Sequence, residues 1–188
     1  MRKLVVFNSV TLDGYFAGLN GDFSWAHSGS DDADFNAFVA DNASGGGQLL
    51  FGRITYELMA SYWPTPNAIK NDPVVAEGMN TVPKIVFSRT LDKVSWNNAK
   101  LMKGDIASEI RKMKNEPGKG MAILGSGSIV SQLAPHRLID EYQVVLTPVV
   151  LGKGRTMFEG IKEMLTLKLT KTRTFANGKV FLCYEPTV

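Results

Sequence analysis

Cysteine is nearly absent from this chain of 188 residues: Cys183 stands alone. A single thiol closes no internal disulfide, so the fold has to be held by its apolar core. Histidine is almost as scarce, with His27 and His136 far apart. No Cys/His cluster has metal-ligand spacing, and no metal is expected. Long apolar runs are missing too; none approaches the roughly 20 residues that span a bilayer. The opening Met1-Arg2-Lys3-Leu4-Val5-Val6-Phe7 has the charge of a signal peptide's first region, but its apolar run stops at Asn8-Ser9. Cytoplasm, with no membrane partner, is the expected location. An excess of one charge is also lacking: 21 basic and 18 acidic side chains leave +3. Nucleic-acid binding needs Lys and Arg clustered on one face, so no nucleic-acid partner is expected.

Two phosphate fingerprints are incomplete. Gly125-Ser126-Gly127 lacks the third glycine of a Rossmann turn, because Val130 holds its place. Gly47 to Gly52 has P-loop spacing, but Arg53-Ile54 replaces the Lys-Ser/Thr pair, and Leu49-Leu50-Phe51 reads as a strand rather than a cradle.

What is present is ordinary globular material: 44% hydrophobic and 21% charged residues, enough for one sizeable core. A single domain over residues 1–188 is expected. Apolar, β-branched runs predict strands at 3–7, 48–51, 84–87, 96–102, 121–124, 142–148, 167–175 and 179–185. Ala176-Asn177-Gly178 is a hairpin signal between the last two. Asp31 and Asp32 can cap a helix with Phe35, Phe38 and Val39 on one face, ending before Ser44-Gly45-Gly46-Gly47. Further helices are expected at 55–61, 73–79, from Asp105 to Met113, and after Gly127 to Leu133. Residues 62–71, carrying Pro64 and Pro66, read as a surface loop. Strands alternating with helices imply an α/β fold with a mainly parallel sheet, to which the last hairpin adds antiparallel edges.

Ligands of such sheets gather beyond the carboxyl ends of strands, where helix N-termini offer unpaired N–H groups. Three junctions here suit an anion. Gly52-Arg53-Ile54-Thr55 joins a close-approach glycine to a guanidinium at a helix start. Gly125-Ser126-Gly127-Ser128 places two glycines and two hydroxyls at another. Ser88-Arg89-Thr90 ends a strand with a hydroxyl–guanidinium–hydroxyl set suited to a phosphate monoester.

The order of these pieces resembles the dihydrofolate reductase superfamily, and most closely its branch related to the C-terminal reductase domain of bacterial riboflavin biosynthesis proteins. The marks are Leu12-Asp13-Gly14 with Gly18, Gly52-Arg53-Ile54-Thr55-Tyr56-Glu57, Ser88-Arg89-Thr90, Gly125-Ser126-Gly127-Ser128, Leu138-Ile139-Asp140-Glu141-Tyr142, and Thr147-Pro148-Val149-Val150-Leu151-Gly152-Lys153-Gly154. The resemblance implies a three-layer fold and NADPH along the sheet's carboxyl edge. Gly52, Arg53 and Thr55 would meet the pyrophosphate side, Ser88 and Arg89 the 2′-phosphate, and Gly125, Ser126, Gly127 and Ser128 the other half of the dinucleotide. The loop from Val10 to Gly18 would lie against the nicotinamide.

It also implies hydride transfer to a C=N or C=O bond of a small heterocycle, either a pterin or a compound like 5-amino-6-(5-phosphoribosylamino)uracil. Asp34, on the first long helix, and Asp13 are the candidate proton donors. Trp25 and Trp63 are the candidate substrate contacts. A homodimer is expected through the sheet's edge and the apolar loop at 149–158. A non-catalytic nucleotide-binding or assembly protein on the same fold is the alternative.

Overall fold

In a computed structural model, residues 1–27, 31–45 and 47–187 are described. Gly46, in the glycine run expected to end the first helix, lies outside them. Among the described residues the apolar runs become eight strands: β1 (Leu4–Thr11), β2 (Gln48–Gly52), β3 (Lys84–Phe87), β4 (Ala99–Met102), β5 (Met121–Leu124), β6 (Glu141–Thr147), β7 (Leu167–Thr174) and β8 (Val180–Pro186). They form one sheet in the order β4-β3-β2-β5-β1-β6-β8-β7. Every pair from β4 to β6 is parallel. β8 pairs antiparallel with β6, and β7 antiparallel with β8. Only β8 therefore runs against the common direction. The α/β class, the mostly parallel sheet and the C-terminal antiparallel hairpin are as the sequence leads one to expect.

Side-chain alternation divides the sheet into two faces. Leu4 and Val6 of β1, Leu50 of β2, and Met121 and Ile123 of β5 pack against α5 (Ile106–Asn115) and α6 (Gly127–Leu133) in one cluster. On the other face, Phe35 of α1 (Ala33–Ser44) packs with Val145, Phe181 and Cys183. Phe51, Tyr56, Met79, Val86 and Trp96 gather where α2 (Arg53–Tyr62) and α4 (Pro73–Thr81) cover β2 and β3. The strip between those two clusters, bearing Val5, Phe7, Ala122 and Leu124, lines a cleft.

Helix starts follow the capping residues. Asp32 Oδ1 accepts the Phe35 N–H at 3.0 Å, and its Oδ2 accepts the Asn177 N–H at 2.9 Å. One carboxylate thus caps α1 and ties it to the β7–β8 turn. Asp105 caps α5 by accepting the Ser108 N–H at 2.9 Å.

Three expectations change. The first strand runs on to Thr11, pairing with β6 as far as Thr147, because the polar Asn8 and Ser9 do not interrupt the ladder. Residues 62–71 are not all loop: α3 (Pro66–Asn71) begins on a Thr65 cap that accepts the Ala68 N–H at 3.2 Å. Pro66 lies in the first turn, where a missing N–H costs nothing. The strand expected from residue 96 starts only at Ala99, since Asn98 is left-handed at φ 58°. Trp96 is instead buried and donates its indole N–H to Asn80 Oδ1 at 2.7 Å.

Lys84 shows how this interior treats a cation. Only 1% exposed, it donates to the carbonyls of Val82 (2.8 Å), Asn97 (2.9 Å) and Asn80 (3.3 Å). Its ammonium also lies 4.5 Å from the centre of the Trp96 ring. Burial pulls its pKa down to about 8, while three carbonyls and a ring face hold the charge. Lys84→Met would keep the stem and orphan three carbonyls, so chemical denaturation should show a loss of about 2 kcal/mol. A loss under about 0.5 kcal/mol would mean that water replaces the ammonium at no cost.

Candidate active site

The centre of the site is built where β2 and β5, adjacent and parallel, both turn into helices. Gly52 ends β2 and starts α2 with no side-chain cap, so the first-turn N–H groups of a 10-residue helix stay available to a ligand. Gly52's own N–H donates to Ser126 Oγ at 2.8 Å. From the other side, the Ser126 N–H donates to Thr55 Oγ1 at 3.1 Å, and the two hydroxyls are also 3.1 Å apart.

Gly125 and Ser126 are both left-handed, each at φ 57°. A Cβ on Gly125 would stand 2.7 Å from Thr55 Oγ1, so this approach requires glycine. Asn8, buried on β1, grips the same peptide from below. Its Oδ1 accepts the Gly125 N–H at 2.6 Å and its Nδ2 donates to the Gly125 carbonyl at 3.2 Å.

At the end of β3, Ser88 Oγ accepts the N–H groups of Leu91 (3.0 Å) and Thr90 (3.2 Å), fixing the turn that presents Arg89. Arg89 is exposed and has no carboxylate partner among the described residues. Arg53 pairs with Glu57 at 3.2 Å on the surface of α2. Gly52, Arg53, Thr55, Ser88, Arg89, Gly125, Ser126, Gly127 and Ser128 all line one cleft of about 1400 Å³. Three junctions on three strands are thus brought together.

The first loop closes over this edge. Leu12 N–H donates to the Val149 carbonyl at 2.9 Å and Phe16 N–H to the Arg155 carbonyl at 3.0 Å. Phe16 lines the cleft and lies so near α6 that a Cβ on Gly127 would be 3.0 Å from its ring.

The two carboxylates expected to donate a proton do not face the cleft. Asp34 is bound to Arg173 Nη2 of β7 at 2.5 Å, with its side chain 60% exposed on the outer side of α1. The packing of Phe35 and Phe38 on the sheet fixes that rotation. Asp13 accepts the Thr11 hydroxyl (2.6 Å) and the N–H groups of Gly152 (2.7 Å) and Leu151 (3.1 Å). The Thr11 hydroxyl, with those two N–H groups, holds its carboxyl below the usual range, so Asp13 is an ionised loop clasp with no proton to give.

Trp63 does line the cleft. Trp25 does not: it is 9% exposed, packed within the protein side of its 3-10 turn (Ser24–His27). Sequence reasoning missed Asn8, His27, Asn36 and Lys179, all of which line the cleft, whereas Phe16 belongs to the loop expected there. Burial and the nearby Lys179 push the His27 pKa down, leaving a neutral imidazole. Among the described residues no group of three or more His, Cys, Asp or Glu side chains is placed to hold a metal, and no helix is long and apolar enough to cross a membrane.

The family model of the RibD C-terminal domain matches residues 2–181. The chain belongs to that family. A relative across the RibD C-terminal domain is the uncharacterized protein YyaP of Bacillus subtilis (strain 168), 31% identical over 184 residues, which are 98% of this chain and 95% of YyaP. A dihydrofolate reductase from Enterococcus faecalis, solved with NADP(H), superposes with a TM-score of 0.67 at 17% identity, covering 99% of this chain and 97% of that one. A Thermotoga maritima diaminohydroxyphosphoribosylaminopyrimidine deaminase/5-amino-6-(5-phosphoribosylamino)uracil reductase gives a TM-score of 0.67 at 15% identity, over 99% of this chain and 57% of that one. At those identities the two structures speak for the fold.

Two left-handed glycines separate backbone strain from crowding. Gly152 (φ +74°) has nothing within 4 Å of an added Cβ, whereas Gly125 meets Thr55. Gly152→Ala should cost about 1 kcal/mol in denaturation, from the left-handed backbone alone. Gly125→Ala should cost roughly twice that or more, and Thr55→Ala in the same chain should restore part of it. Equal losses at both positions would show that the contact with Thr55 relaxes freely.

Proposed function

We propose that this RibD C-terminal-domain chain is a nicotinamide-dependent reductase of a small heterocycle, with NADPH as its reductant. The observation that carries the reading is the convergence of all three anion-suited junctions on one cleft. The uncapped start of α2, the Gly125 approach that a Cβ would block, and the exposed Arg89, without a carboxylate partner among the described residues, fit a dinucleotide's phosphates. Gly52, Arg53 and Thr55 would hold the pyrophosphate, and Ser88 and Arg89 the 2′-phosphate. Gly125, Ser126, Gly127 and Ser128 would hold the other half of the dinucleotide. The Enterococcus neighbour's complex with NADP(H) and the Thermotoga neighbour's name as a 5-amino-6-(5-phosphoribosylamino)uracil reductase support the same reading.

The bound cofactor would supply hydride; the chain's own share is orientation and the exclusion of water. Phe16, Phe35 and Trp63 line the cleft with flat apolar faces that suit a pterin or pyrimidine ring. A non-catalytic nucleotide-binding role is the second reading, favoured by the turning of Asp34 onto Arg173 and of Asp13 onto the Gly152 loop. Turnover of any flat heterocycle with NADPH would remove it.

Calorimetric titration tests the first step. NADPH should bind at least about tenfold tighter than NADH, and Arg89→Ala should erase most of that difference by removing one charge-assisted contact. Failure to bind either nucleotide would sink the reading. We also propose a homodimer that covers Val150 (67% exposed), Leu12 (63%) and Phe158 (39%) near the first loop. Sedimentation at micromolar concentration should give twice the chain mass, and a monomer there would overturn this.

A further inference from the structure

Lys179 precedes β8 at the turn beside α1. Val180 pairs with Leu146, and Leu146 with Val10, so Lys179 stands at the same sheet edge as Thr11 and Thr147. The sheet order puts the three phosphate-suited junctions, on β3, β2 and β5, to one side of β1 and Lys179 to the other. All of them line the same cleft. Lys179 therefore occupies the end of the cleft away from Arg53 and Arg89.

Its setting differs from that of Lys84. Both side chains are 1% exposed. Lys84 donates to three carbonyls. Among the described residues Lys179 Nζ makes one hydrogen bond, to the Ala26 carbonyl at 2.7 Å, and lies 4.3 Å from the centre of the Phe35 ring. An ammonium carries three N–H donors, and a buried one left partly unpaired is costly. Burial pulls the Lys179 pKa down, and Asp32, whose charge opposes that, is already engaged with Phe35 N–H and Asn177 N–H. His27, alongside, is neutral. The carboxylates lining the cleft are Asp22, turned onto Ser24, Asp105, capping α5, and the exposed Asp72 at the start of α4.

We infer that Lys179 determines specificity in the substrate half of the cleft, and that it selects a flat heterocycle bearing an anionic or enolisable oxygen over a protonated base. The unused N–H groups would donate to that oxygen, and an anion there would also offset the desolvation of the ammonium. This rests on the reductase reading, because it takes the lysine end of the cleft as the substrate's place.

The test is calorimetric titration of the full chain at neutral pH with two pyrimidines of opposite charge, barbiturate and 2,4-diaminopyrimidine, each with and without NADP⁺. Wild type should bind barbiturate about tenfold or more tighter than 2,4-diaminopyrimidine, the scale of one charge-assisted hydrogen bond. Lys179→Met should abolish that preference while leaving NADPH affinity within about twofold, and Lys179→Arg should retain part of it. A lysine that merely props the 3-10 turn would weaken both pyrimidines together and leave their ratio unchanged, which overturns the inference. So does a wild type that ignores barbiturate or favours the diaminopyrimidine, a result that needs no variant to fold. NADPH binding without the charge preference defeats Lys179 alone; the charge preference without nucleotide binding defeats the reductase reading alone.

Discussion

Everything at this site depends on one contact between neighbouring turns: Ser126 of the β5–α6 junction bonded to Gly52 and Thr55 of the β2–α2 junction. Parallel neighbours put their carboxyl ends side by side, so two turns into helices must share a few ångströms of space. Here they share it by trading hydrogen bonds. The left-handed pair Gly125-Ser126 is the backbone cost of that arrangement, and Asn8, reaching up from β1, holds the pair in place. Three central strands thereby converge on one peptide.

The sheet order extends that logic. The strands bearing phosphate-suited junctions lie on one flank of β1, and the hairpin bearing Lys179 on the other. A ligand lying along the edge passes from guanidinium groups, over glycine backbone, to a buried ammonium. Only β8 runs against the common direction, and for that reason its first residues, rather than its last, reach the functional edge. The C-terminal hairpin thus closes the sheet and also completes the cleft.

Much of this was legible in the sequence, and the rest was hidden for identifiable reasons. β-Branched runs located the strands, and glycines followed by Arg or Ser located the junctions, since both signals are local. α3 was hidden because Pro66 reads as a breaker until Thr65 is recognised as its cap. Asn8 read as the end of a strand because its partner Gly125 lies 117 residues further along. Asp34 sits in the first turn of its helix as expected, but the face it shows depends on how Phe35 and Phe38 seat on β6 and β8. Nothing local marks Lys179, at the start of the expected last strand, as buried. Its burial comes from the 3-10 turn and α1, which no local pattern announces.

The double use of Asp32 has a mechanical consequence. Its two oxygens fasten the first turn of α1 to the β7–β8 turn, and Lys179 adds a tether from that turn to Ala26. Helix, hairpin and 3-10 turn are thereby joined at one corner of the cleft. α4 packs against the other end of the same helix, where a Cβ on Gly78 would stand 2.7 Å from the Ala43 carbonyl oxygen. α1 is therefore held at its first turn by the hairpin and at its last by α4, so both ends of this wall of the cleft are fixed by tertiary contacts.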